Sequence, residues 1–278
     1  MISFQVIPTL NINRLILSLT FTVILFFVLS KAVYSVDLDS DAPIDQKKHS
    51  GYHYLSKDLQ ALQDDDFLNP GIFTIERGRE IWYTKEGDKG FSCASCHQDA
   101  VESMAGIAAR YPKVDTDQGK LVNLELMINN MRVEHMGAMP YIYETEEMLA
   151  LTAYLTDQSR EYPLKVKISG HAKVFFDRGQ DFYFKRRGQL DLACNQCHDE
   201  LAGQKLRGDT ISQGQIEAFP IYRLMWRSSA SRHRMFAWCN SALRAEPFAL
   251  GSEEYLNLEL YLSWRGQGLL IGAPGVRR

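Results

Sequence analysis

The sequence predicts a mainly α-helical protein in which one unit of roughly 100 residues occurs twice in tandem, and three observations carry that expectation. The pentapeptide Cys93-Ala94-Ser95-Cys96-His97 returns as Cys194-Asn195-Gln196-Cys197-His198, 101 residues later. Arg77-Gly78 and Gly87 return at the same offset as Arg178-Gly179 and Gly188. Residues 140–155 then return as 247–262, at an offset of 107, with seven of sixteen positions identical.

The elements follow in order. Residues 1–35 open polar with Arg14, run apolar over 15–29 and reach Ala32-Val33-Tyr34-Ser35, the layout of a signal peptide cleaved after Ser35. An apolar run of 15 residues is short of the roughly 20 that cross a bilayer, so no stable membrane insertion is expected. Residues 36–66 are polar, with Asp64-Asp65-Asp66 at their end, and read as an N-terminal arm or linker. The first repeated unit is placed at 67–163 and the second at 164–278. Within each unit Thr145 or Ser252 caps a helix whose first turn carries two glutamates, which favour the helix N-terminus. Leu149, Leu151 and Leu155 match Leu256, Leu258 and Leu262 and give each helix an apolar side. Strand signals are scarce.

The composition is that of a globular chain: 278 residues, 45% hydrophobic, 23% charged, net charge −3. The near-neutral total conceals a balance of −9 over 1–164 and +6 over 165–278. A chain without a concentrated basic face is not built for nucleic acid.

Four of the five cysteines lie in the two CxxCH motifs. A covalently held haem needs two thiols spaced to match its vinyl groups and an adjacent iron ligand, and five residues on one helical turn supply all three. Two haems c follow, attached at Cys93, Cys96, Cys194 and Cys197, with His97 and His198 as proximal ligands. A zinc site built from both cysteine pairs would leave each histidine unexplained, and a redox CxxC is not usually duplicated with histidine. For the first haem the far side of the unit offers Met127, Met131, His135, Met136 and Met139 as distal ligands. In the second unit Cys239 remains, among Arg223, Arg227, Arg232, His233, Arg234 and Arg244. That cationic surround is expected to depress its thiol pKa and to suit an anionic substrate.

The two CxxCH motifs, with Cys239-Asn240, Arg244-Ala245-Glu246-Pro247-Phe248, Gly251-Ser252-Glu253-Glu254-Tyr255 and Trp264-Arg265-Gly266, resemble the SoxA family, the dihaem subunit of the SoxAX cytochrome complex of sulfur oxidation. The resemblance spans roughly residues 55–278. It implies two cytochrome c-like domains and a periplasmic enzyme that joins thiosulfate oxidatively to a cysteine of the carrier SoxYZ. Two electrons would leave through the haems to the monohaem partner SoxX. It further implies that Cys239 is both distal ligand of the second haem and active-site sulfur, carrying a persulfide in some states. Members often place cysteine as distal ligand of the first haem, where Ile128-Asn129-Asn130-Met131-Arg132 offers Met131, so His97/Met131 ligation is expected. Members also often carry arginine four residues before the active cysteine. That position is Met235, so Arg234, with Arg232 behind it, is expected to hold the substrate. The competing functions are a plain dihaem electron-transfer cytochrome and, more remotely, a dihaem peroxidase.

Overall fold

The computed structural model describes residues 47–278, and the signal segment expected at 1–35 lies outside them, as does most of the arm. From Lys48 onward the chain forms one body. The arm is not a free linker there. Gly51–Tyr54 is a 3₁₀ turn, and α1 (Lys57–Asp64) follows. Gln63 Oε1 accepts from Val276 N and Arg277 Nη1, and Ser50 and Gly51 both donate to buried Glu217.

The rest of the chain alternates long helices with short ones. In sequence come α2 (Ile72–Tyr83), α3 (Cys93–His97), α4 (Leu124–Met131), a π-helical turn at Arg132–Met136, and α5 (Glu146–Asp157). Then follow α6 (Lys173–Phe184), α7 (Cys194–His198), α8 (Arg232–Ala242) and α9 (Glu253–Arg265). Strands are present but short. β1 (Lys113–Asp115) pairs antiparallel with β2 (Lys120–Val122), and β3 (Lys205–Leu206) with β4 (Asp209–Thr210). The third sheet is built around β5 (Ile221–Arg223), which pairs antiparallel with β6 (Ser228–Ala230) and parallel with β7 (Gly275–Arg277).

Two helix crossings organise the body, α2 on α5 and α6 on α9. Each closes around a glycine. A Cβ on Gly78 would overlap the Ala150 carbonyl, and one on Gly179 would overlap that of Asn257, so only glycine lets these backbones approach. Gly87 and Gly188 share a φ of +71° and would clash with the carbonyls of Met136 and Leu243 respectively. The repeated sequence blocks therefore make the same contacts.

The described residues form two buried clusters. The first takes most of its side chains from 75–164, including Trp82, Met148, Leu151 and Tyr154, and adds Ile271 and Ala273. The second takes most of its side chains from 166–262, including Phe176, Tyr183, Phe236, Tyr255 and Leu260, and adds Leu121. The cores thus exchange residues across the boundary expected near 164. Among the described residues no helix is long and apolar enough to cross a membrane.

Candidate functional site

Each CxxCH is one short helix with a built start. Ser92 caps α3 by accepting from Ser95 N, and Ser95 Oγ accepts from Ser92 N in return. Ala193 has no side-chain acceptor, so Gln196 Oε1 takes the Ala193 N–H at 2.8 Å. The residue after each histidine is tethered by an aromatic from the preceding long helix: Trp82 Nε1 donates to Gln98 O at 2.9 Å, and Tyr183 OH to Asp199 at 2.8 Å.

The two histidines differ in support. His97 is exposed beside the Trp82 ring, with centroids 5.9 Å apart. His198 is fixed. Its Nδ1 lies 2.8 Å from the Ser212 carbonyl, which assigns the proton to Nδ1 and leaves the Nε2 lone pair for a metal. Gly214, at φ +69°, packs so close to this ring that a Cβ would collide with it. Arg265 holds the same loop by donating to Gln213 O, and it also pairs with Asp199.

A guanidinium stands beside the first cysteine of each motif, but it comes from different places. Beside Cys93 it is Arg132, buried, 2.7 Å from Glu86 and stacked 3.4 Å over Tyr141. Beside Cys194 it is Arg187, which occupies the position matching Glu86 and stacks 3.7 Å over Phe182. Its Nε is buried with no hydrogen-bond partner. Burial pushes both thiols up, to about 11 for Cys93 and Cys194.

α8 brings Cys239 to the second CxxCH: its thiol feels the charges of Cys194, Cys197 and Arg223. The expected depression of its pKa is reversed. Burial is the dominant cause and pushes the thiol up to about 12, against which Arg223 alone among the arginines acts. The two arginines expected to hold the substrate are engaged elsewhere. Arg232 is buried and donates to Glu259 at 3.1 Å, on the side of α8 facing the first half, so it does not serve as an anion contact. Arg234 stacks 4.4 Å over Trp226, bonds Ser228 Oγ and lies 3.6 Å from Glu144.

Met131 occupies the place in the first half that Cys239 occupies in the second. Asn123 caps α4 by accepting from Leu126 N, and Ser231 caps α8 by accepting from Arg234 N. Met131 and Cys239 each lie eight residues past that cap. The π turn after Met131 then absorbs one extra residue, so Met136 and Leu243 again coincide at the glycine contacts. Met131 is half-buried, Met136 buried, and Met139 and His135 exposed.

These residues fit covalent haem. All five cysteines are free, two pairs of them on single helical turns with an adjoining histidine. The unpartnered Arg187 Nε suits a propionate, and a thiol kept protonated by burial becomes a thiolate when a metal takes its lone pair. Sequence reasoning passed over Arg187, Ser212 and Gly214. The reversal of charge between Glu86 and Arg187, inside an otherwise repeated stretch, was the available signal for the first.

Comparison with known proteins gives one consistent answer. Residues 77–164 match the SoxA/TsdA cytochrome c domain. The L-cysteine S-thiosulfotransferase subunit SoxA of Pseudaminobacter salicylatoxidans is 42% identical over 230 residues, covering 82% of this chain and 80% of the relative. That of Paracoccus pantotrophus is 38% identical over 82% of this chain and 79% of the relative. The crystal structure of SoxXA from P. pantotrophus superposes with a TM-score of 0.81 at 38% identity, covering 83% of this chain and 87% of that one.

Proposed function

The chain belongs to the SoxA family, and from that premise we propose that it is a periplasmic L-cysteine S-thiosulfotransferase subunit with two duplicated haem domains. Its reaction is the oxidative joining of thiosulfate to a cysteine of the carrier SoxYZ, with SoxX as the monohaem partner. The observation that carries the reading is the third sulfur of the second site: Cys239, within electrostatic reach of Cys194, Cys197 and Arg223. A third sulfur there with an arginine beside it favours the transferase over a plain electron-transfer cytochrome.

Cys93 and Cys96 would hold one haem, with His97 and Met131 on its iron; Cys194 and Cys197 would hold the other, with His198 and Cys239. When bound, the haems supply one-electron acceptance. The chain's own residues do the rest. Cys239 thiolate and thiosulfate form a sulfur–sulfur bond, giving Cys239–S–S–SO₃⁻ and releasing two electrons. The carrier thiolate then attacks the sulfane sulfur of that adduct. Carrier–S–S–SO₃⁻ forms, the Cys239 Sγ–S bond breaks and Cys239 leaves as thiolate. Ser212 keeps His198 in one tautomer throughout.

The test is Cys239→Ala. Thiosulfate-dependent modification of the carrier should vanish while intact mass still reports two haems. Undiminished modification sinks the proposal. In the wild type, a Cys239 peptide heavier by one sulfur identifies the persulfide.

A further inference from the structure

The anion-binding residue of this site is still to be named, because Arg232 is consumed by Glu259 and Arg234 stands next to Glu144. We infer that Arg223, on β5, binds the sulfonate end of thiosulfate beside Cys239. The inference rests on the proposed transferase function and names the residue that selects its substrate.

Four observations place Arg223 there. It is the arginine next to the thiol that has no carboxylate within ion-pair distance. It lies against Met235 Sδ, with its Nη1 at 3.8 Å, and Met235 is one helical turn before Cys239 on the same face of α8. The guanidinium lies against two indoles that meet edge to face, 4.6 Å from the Trp238 ring and 5.0 Å from the Trp226 ring. Trp238 immediately precedes Cys239 and is 37% exposed, so solvent reaches the indole beside the guanidinium. Finally, Arg223 is only 8% exposed, yet its Nε has no hydrogen-bond partner.

A buried guanidinium with a vacant donor pays the full cost of an unmade hydrogen bond until an acceptor arrives. Its planar fork matches two oxygens of a sulfonate, while stacking on aromatic faces fixes its plane. Met235 is apolar and short of donors, so it supplies contact but no competing charge. An arginine on the neighbouring strand thus puts the cation one turn from the sulfur without occupying α8 itself. The sulfonate end of thiosulfate is held at Arg223, and the terminal sulfur points toward Cys239 Sγ. Burial, which lowers the pKa of Arg223, also means that an arriving dianion restores favourable surroundings to its charge.

The experiment uses the full, haem-loaded chain with its partner and carrier. Arg223→Gln should raise the KM for thiosulfate at least tenfold and weaken thiosulfate binding in calorimetry to the same extent. The KM for the carrier and the haem absorption spectrum should not change. Arg223→Lys, which keeps charge but loses the fork, should recover part of the affinity. Arg227→Gln, which removes an exposed charge from the same turn, should stay within twofold of wild type. An Arg223→Gln protein with wild-type KM overturns the assignment while leaving the transferase reading intact. Wild-type protein that does not modify the carrier overturns both. Should Arg223→Gln not assemble its haems, Arg223→Lys carries the test, and an unchanged thiosulfate KM in that variant is equally fatal.

Discussion

A methionine and a cysteine stand at equal distance from their helix caps in the two halves of this molecule, and as iron ligands they would set the halves to different tasks. Thioether sulfur is a weak neutral donor and thiolate a strong anionic one, so Met131 would favour the reduced state of its iron where Cys239 favours the oxidised. Met131→Ala should abolish the methionine-to-iron charge-transfer band at the red edge of the visible spectrum and leave carrier modification by the second site measurable; a band that survives removes Met131 as ligand. The CxxCH motifs were legible in the sequence because covalent chemistry fixes their spacing locally, whereas Cys239 and Met131 stood out only by their matching places in the repeat and by the family resemblance. Arg223 stood in the sequence only as one of several arginines near Cys239; what distinguishes it is an unpartnered Nε, and pairing is decided by chain segments far away. The pKa of Cys239 was misjudged for a related reason: counting arginines along the sequence says nothing about which are paired or how deeply the thiol is buried.

The helices α5 and α9 were readable from caps and periodicity, and each begins where Thr145 or Ser252 puts it. Their partners α2 and α6 were marked only by an Arg-Gly pair, whose meaning is a close crossing. Gly179→Ala should destabilise the second half by about 3 kcal/mol or more, because the new Cβ meets backbone that cannot move aside as a side chain would. Denaturant melts of the haem-loaded protein check this, and a change below about 0.5 kcal/mol, the ordinary scatter for surface substitutions, would refute it. The π turn at Arg132–Met136 was hidden, since one inserted residue changes an offset by one and leaves no local signature. The short strands escaped notice because two or three residues cannot establish an alternating pattern.

At the scale of the whole molecule the two halves meet over buried charge. Glu259 is fully buried and accepts from Asn123 of the first half and from Arg232 and His233 of the second. Tyr143 stacks on His233 with ring planes 9° apart. Gly251 N donates to His233 Nδ1, which turns Nε2 toward Glu259. Arg232 balances only one carboxylate. Glu259 keeps its charge, its pKa lowered by these donors despite burial, whereas burial and Glu259 push Glu125 up from 4.5 to about 7. A carboxyl raised on folding binds more protons folded than unfolded, so its protonated form is the comfortable one and stability falls as pH climbs from about 4.5 to 7. Glu125→Gln should flatten that decline in thermal melts taken across this window, and an unaltered pH dependence would exclude Glu125 as its source.

The visit of Ile271 and Ala273 to the first core has a bearing on how the protein comes into being. Glu161 N donates to Ile271 O and Ile271 N to Tyr162 O, so the first half is closed by residues synthesised more than a hundred positions after its haem motif. A chain emerging N-terminus first cannot complete that layer until the second half has followed. The first core therefore stays open on that side for as long as the remainder is still arriving.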